Sequence, residues 1–374
     1  MDNKKIDKTD AEKMNTDISN NAKEVAHYSG QSFRFIVAAI VLMIGLSIAT
    51  VVTFTIMMRL STEVDEIQDE NFEQHYVFIV DDKDSTFWKS VYESANAQAM
   101  EDHIYLEDLS ETLGVNYTDE DLLRVAVNSS VDGIIYGGSA SDISEAFINK
   151  AAGEGIGVAI LQKDMESSAR QCFVGSNVYE LGQIYGSQIL SALGKENIYD
   201  VNVEILVDGD MSEGAVNILI MGIDEYVDAQ VESEDDIDQN LNIEITRIYV
   251  QDVFSVDEKI RDIFLEREEL PDIMICLSSI YTQCVYQAVV DYNKVGETSI
   301  IGYYADDSTI DAIEKQVIFS TVTVDTSEMG KGAVKALEEY HTHGYTNSFI
   351  SVKTSVIGQN EARRMINDRE DSAE

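Results

Sequence analysis

The chain contains one tryptophan, Trp88, a few residues beyond a short apolar run, VFIV at 77–80, that closes on Asp81-Asp82. An aromatic face at that point can stack on a flat or ring-shaped ligand. Lys163 follows another apolar run, GIGVAILQ at 155–162. It can offer a cation to a ligand hydroxyl, carboxylate or phosphate. Tyr136, Tyr281, Tyr303 and Tyr304 fall at or near the ends of similar runs. Each has a plainer role beside the binding one. Trp88 can be core on a first helix, Lys163 a solvated loop residue, and the tyrosines caps on an interface. Ser278 and Ser279, and likewise Asp306 and Asp307, stand where helices should begin and suit N-caps. The spacing shows no Ser-His-Asp grouping, no paired-carboxylate signature and no phosphate loop, Gly137-Gly138 being the only tight glycine pair after a strand. Binding is expected, and neither an enzyme nor a cofactor.

The elements that must position these groups alternate. Strand candidates are 77–80, 103–109, 131–138, 155–162, 201–207, 242–250, 272–277, 298–304 and 317–324. Helical spacing is read between them: Trp88, Val91, Ala95 and Ala99 behind an Asp84 or Ser85 cap, then 118–129, 140–153, 213–229, 256–269, 279–293, 307–315 and 327–341. Strands alternating with helices of ten to fifteen residues imply parallel sheets covered on both faces. That many strands are too many for one compact sheet, so two α/β lobes are expected, with ligand at the carboxyl ends of the strands, in the cleft.

Ahead of this region, 35–58 reads FIVAAIVLMIGLSIATVVTFTIMM, twenty-four residues without a charge between Arg34 and Arg59. As a helix it would extend roughly 36 Å, enough for one membrane crossing. Lys23 and Arg34 precede it, and Glu63, Asp65, Glu66, Asp69, Glu70 and Glu73 follow. The Lys/Arg rule sets the N-terminus in the cytoplasm and the large C-terminal part outside. A cleaved signal peptide is the competing reading, with Ser47-Ile48-Ala49 as its small-x-small triplet. Residues 1–34 form a polar cytoplasmic tail and 59–75 a juxtamembrane spacer.

The net charge of −43, from 26 basic and 69 acidic residues, excludes nucleic acid as a partner, because a phosphate backbone would be repelled. The acidic stretch 223–239 reads as a solvated helix end and loop, since it lacks an EF-hand spacing. Cys172, Cys276 and Cys284 form neither a metal spacing nor an even disulfide framework, and five scattered histidines do not make a zinc site. Cys276, inside an apolar run, is expected to be a buried free thiol.

Four segments, in order and in register, resemble the type I periplasmic binding proteins, the sugar-binding group that includes ribose and galactose binders. They are VFIVDDKDSTFWKSVYESANAQA, VDGIIYGGSASDISEAFINKAAGEGIGVAILQKD, RQCFVGSNVYELGQIYGSQIL and IIGYYADDSTIDAIEKQVIFSTVTVDTSEMGKGAVKALEEY. The resemblance covers about 76–358. It implies two Rossmann-like lobes joined by a three-segment hinge near Gly175, Val324 and Gly344. Lobe one would be about 76–175 and 325–345, lobe two about 176–324 and 346–358, with 359–374 a polar tail. It also implies a site. Phe87 and Trp88 match the family's aromatic pair. Gln162 and Lys163, then Asp164, stand where the family commonly has Asp followed by Arg or Ser. Ser278 and Ser279 replace an Asn-Asp pair, Tyr304 replaces an Asp, Val324 replaces a Gln, and the Arg ahead of the glycine matched by Gly222 is absent. Most of the charged hydroxyl-binding set is therefore lost, and sugar recognition comes from the fold rather than from these residues. The expected ligand-binding residues are Phe87, Trp88, Tyr136, Gln162, Lys163, Asp164, Ser278, Ser279 and Tyr304, without a metal.

Two functional classes follow. One is a membrane-anchored extracytoplasmic solute-binding protein that delivers a small polar ligand, a carbohydrate first of all, to an ABC permease. The other is a sensory ectodomain that passes occupancy to a partner such as a sensor kinase.

Overall fold

A computed structural model describes residues 43, 45, 50, 72–113, 117–194, 200–230, 241–249, 253–267 and 269–373. The apolar run 35–58 lies outside them except for Met43, Gly45 and Thr50, which are helical; the tail 1–34 and residues 59–71 also lie outside. Among the described residues no helix is long and apolar enough to cross a membrane.

Apolar runs such as VFIV and GVAIL have no polar face to offer water, so they form strands covered on both sides. The first sheet holds β1 (Gln74–Val80), β2 (Ile104–Asp108), β3 (Gly133–Gly137), β4 (Gly157–Leu161), β5 (Cys172–Gly175) and β11 (Phe349–Ser351). Its order is β11-β5-β4-β3-β1-β2, every pair parallel. The second sheet holds β6 (Val201–Asp208), β7 (Leu241–Ile248), β8 (Ile273–Cys276), β9 (Ser299–Tyr303), β10 (Ser320–Val324) and β12 (Thr354–Ile357). Its order is β12-β10-β9-β8-β6-β7, with β12 antiparallel to β10.

Helices cover all four faces. On the first sheet, α1 (Thr86–Glu101) and α10 (Thr326–His343) bury Val91, Ala95, Met329, Ala333 and Leu337 on one side. After the short α2 (Leu109–Thr112), α3 (Asp119–Asn128) and α4 (Asp142–Gly153) bury Leu123, Ala126 and Ile148 on the other. On the second sheet, α5 (Val178–Leu193) and α6 (Glu213–Gln230) form one layer. The opposite layer is α7 (Val253–Glu266), α8 (Ser279–Asp291), α9 (Asp307–Glu314) and α11 (Gln359–Ala373). Caps set the starts: Thr118 and Asp121 form a capping box, and Ser141, Asn177, Ser278, Asp306 and Asp325 each accept from the first turn.

The chain passes between the sheets three times, after Gly175, after Val324 and between Ser351 and Thr354. The third passage falls beyond the expected Gly344, because β11 joins β5 in the first sheet. Gly344 instead ends α10 in the left-handed region, φ 81°. The passages lie side by side: Val352 N–H donates to Gly175 O at 3.0 Å, and Asp325 N–H to Lys353 O at 3.0 Å. Residues 359–373, expected to be a polar tail, are helical because Ala362 and Ile366 pack on the second core and Arg369 pairs with Asp307 and Asp311. The expected spacer 59–75 likewise runs into β1, which begins at Gln74.

Candidate functional site

Strand ends from the two sheets meet across a polar cluster. Asp81 follows β1, Lys163 follows β4, and Asp208 ends β6. Gln162 adopts φ 64°, a left-handed turn that redirects the chain after β4, and the next amide, Lys163 N–H, donates back to Leu161 O at 2.7 Å. Lys163 Nζ then lies 3.2 Å from Asp81 Oδ2, on its own lobe, and 3.1 Å from Asp208 Oδ2, on the other. The remaining oxygens of both carboxylates are also engaged. Trp88 Nε1–H donates to Asp81 Oδ1 at 3.1 Å, and the Tyr281 hydroxyl donates to Asp208 Oδ1.

Burial alone would lower the Lys163 pKa; Asp208, Asp81 and Asp210 outweigh it and raise it well above the ordinary lysine value, so the ammonium is retained. Burial raises the Asp81 carboxyl, and Lys163 opposes that. Burial, followed by the charge of Asp208, raises the Tyr281 hydroxyl, which stays a donor.

Further links cross the same gap. Asp210 Oδ2 accepts from Ala140 N–H at 2.9 Å. Phe87 meets Tyr304 edge-on at 5.2 Å and Tyr303 at 6.3 Å. Three polar atoms near these strand ends are buried without a hydrogen-bond partner: Gln162 Oε1, Asp210 Oδ1 and Ser176 Oγ. A buried acceptor left without a donor is costly, and it is met by ligand or water in a working site.

Of the residues singled out in the sequence, Phe87, Trp88, Gln162, Lys163 and Tyr304 gather around this gap. Trp88 is only 7 % exposed; its ring lies edge-on to Phe87 at 4.8 Å and rests on Gly137, where a Cβ would not fit. Tyr136 faces the other side of its sheet, donates to Asp119 Oδ2 at 2.7 Å and is fully buried. Asp164 is held by Arg170 through two bonds of 2.5 and 2.7 Å, which pins the loop after β4. Ser278 accepts from Tyr281 N–H as the cap of α8, and Ser279 is the first residue of that helix. Cys172, Cys276 and Cys284 are free and buried.

Asp208 and Asp210 were not legible as site residues, and Asp81 was read only as a strand stop. Their shared signal is an acid at the carboxyl end of an apolar run, repeated in VFIVDD and EILVDGD. Together the groups can do one thing: grip a donor-rich group between two lobes.

A family model described as a periplasmic binding protein domain matches residues 76–344. Solved structures share the fold. GanP, a glucose-galactose binding protein from Geobacillus stearothermophilus, is 23 % identical, covering 77 % of this chain and 98 % of its own, with a TM-score of 0.62. A chain of the XylFII-LytSN complex is 21 % identical over 77 % of this chain and 98 % of its own, with a TM-score of 0.61. An ABC transporter solute binding protein from Agrobacterium vitis with bound D-fucose is 18 % identical over 76 % and 96 %, with a TM-score of 0.60. No curated protein matches the chain.

Proposed function

This chain belongs to the periplasmic binding protein domain family, and we propose that it is a membrane-anchored extracytoplasmic solute-binding protein for a carbohydrate or a similarly hydroxyl-rich solute. The observation that carries the reading is the pair of buried, unpartnered acceptors just past the strand ends of opposite lobes, Gln162 Oε1 after β4 and Asp210 Oδ1 after β6. A polyol supplies hydroxyl donors to such acceptors and adds no charge of its own. Asp81, Asp208 and Asp210 against Lys163 leave the cluster with excess negative charge, which disfavours carboxylates and phosphates. The sugars of the similar proteins, glucose-galactose and D-fucose, support the same class. The family is one of non-enzymatic binding proteins, and the cluster is assigned no catalytic step.

The uncharged run 35–58 and the acidic flank beyond it support a single-pass anchor with the binding domain outside the cell. Protease added to intact cells should then remove the large domain and spare the tail; a mature chain beginning near residue 50 would overturn the anchor. Delivery to an ABC importer fits an anchored binder. The likeness to the XylFII-LytSN complex favours a second reading, in which occupancy is passed to a sensor kinase. Deleting the protein separates the two, because the first predicts lost uptake and the second predicts intact uptake with a lost transcriptional response.

The binding test is a thermal-shift series on the full-length protein in detergent with neutral monosaccharides. A ligand at a hundred times its Kd stabilises by about 2.7 kcal/mol, a readily measured shift. No shift with any neutral sugar, together with a shift for a carboxylate or phosphate ligand, would refute the carbohydrate reading.

A further inference from the structure

Among the described residues, several links between the lobes beyond the hinge run directly from one protein group to another. Lys163 Nζ bridges Asp81 and Asp208 at 3.2 and 3.1 Å, Asp210 takes the Ala140 amide at 2.9 Å, and Phe87 meets Tyr303 and Tyr304. A two-lobed binder ordinarily needs a solute between its lobes to supply such contacts, because hinged domains close around what they bind. Here one ammonium group already stands between a carboxylate of each lobe. The environment holds that ammonium in place: the Asp81 oxygen not used by Lys163 is taken by Trp88, and the corresponding Asp208 oxygen by Tyr281. Neither carboxylate can turn away without breaking a second bond, so the two carboxylates form a fixed receptor for one cation.

We propose that Lys163 is the cleft's built-in occupant, a cis-acting strap whose ammonium joins Asp81 to Asp208 and closes the two lobes with no solute bound. The closed form is then the resting form. What a partner meets on the outside of the domain is the closed shape before any solute arrives. This inference concerns the empty protein and does not depend on the identity of its ligand.

The test measures the separation of the lobes in the full-length protein without solute. The native thiols Cys172, Cys276 and Cys284 are buried, so cysteines introduced at the exposed positions Glu166 and Asn217 accept spin labels selectively. These positions lie on opposite lobes, and pulsed electron resonance reads the distance between them. The wild type should give one narrow distribution. Lys163→Met, which keeps the length of the side chain and loses the charge, should broaden the distribution and move it to longer distance. Asp208→Asn, which weakens the bridge from the other lobe, should move it the same way. Circular dichroism verifies folding of each variant, and if Lys163→Met does not fold, Asp208→Asn decides alone. A distribution unchanged in the folded variants overturns the proposal, as does a wild-type distribution already broad and long.

Discussion

Replacement of Trp88 distinguishes a structural ring from a recognition surface. The side chain is 7 % exposed, rests on Gly137, meets Phe87 edge-on at 4.8 Å and donates to Asp81 at 3.1 Å. Deleting a buried ring of this size costs about 3–5 kcal/mol in lost transfer energy and cavity. The lost edge-on partner adds about 0.5–1.5 kcal/mol. Trp88→Ala should therefore destabilise by about 4–6 kcal/mol. Trp88→Phe keeps most of the apolar area and loses the bond to a charged acceptor, at a cost of about 1.5–3 kcal/mol. For domains of this size each kcal/mol moves Tm by roughly 2–4 °C, so Trp88→Ala should fall by at least about 8 °C and Trp88→Phe by about half as much or less. Thermal unfolding followed by circular dichroism gives the Tm shifts, urea unfolding gives the free energies, and a binding titration on the same samples follows recognition. If Trp88→Ala unfolds like the wild type and yet fails to bind a sugar that the wild type binds, the ring is a ligand platform and the packing argument is wrong.

Other positions give equally direct outcomes. Glu204 is 1 % exposed at its side chain and is held by Arg267 at 2.8 and 3.1 Å and by Thr246 at 2.7 Å. Arg267→Ala strands that carboxylate and should cost about 3–5 kcal/mol at pH 7. Burial raises the Glu204 pKa in the folded state, so its protonated form is tolerated, and the loss should shrink at pH 5; an equal loss at both values would count against a stranded charge. Burial pushes Cys172 up from 9.0 to about 12 and Cys284 up from 9.0 to about 11. Above pH 9 the unfolded chain releases these protons while the folded chain keeps them, so stability present below pH 9 should fall between pH 9 and 11, and a urea midpoint that is flat over that range would contradict this. Gly182 and Gly222 let α5 and α6 touch backbone to backbone, Gly222 against Tyr179 O and Gly182 against Leu219 O. Gly222→Ala should wedge them apart at about 1–3 kcal/mol, read as a lower urea midpoint with an unchanged slope.

The layer order of the fold was legible because its strands are apolar throughout and its helices carry regular stripes. The runs read at 131–138 and 201–207 are β3 and β6 to within two residues at either end. Several elements were not legible, three of them for plain physical reasons. Phe349–Ser351 is three residues at a sheet edge, half exposed, and its strand character comes from β5 beside it. Cys172–Gly175 is four residues, too short to show a period. The helix Gln359–Ala373 is charged along most of its length and shows little apolar stripe, being held by Ala362, Ile366 and the pairing of Arg369. At the site, the end of β4 drew attention to Lys163, but what Lys163 pairs with depends on two acids 82 and 45 residues away in sequence, which only the tertiary fold brings together. Trp88 was readable as a residue after a strand end, whereas its seat on Gly137 was not.

The placement of α10 and β11 affects how the chain is made. Strands β1 to β5 are complete by Gly175, yet one face of their sheet is covered by α10, which begins at Thr326, and its edge is closed by β11 at Phe349–Ser351. Roughly 150 residues of the second lobe are synthesised in between, a wait of about 8–30 s at ordinary elongation rates. Through that interval Ala159 and Val174, on β4 and β5, lack the later of the two helices that share this face in the finished molecule. The nascent chain is therefore expected to carry an uncovered apolar strip along β4 and β5 until α10 and β11 emerge.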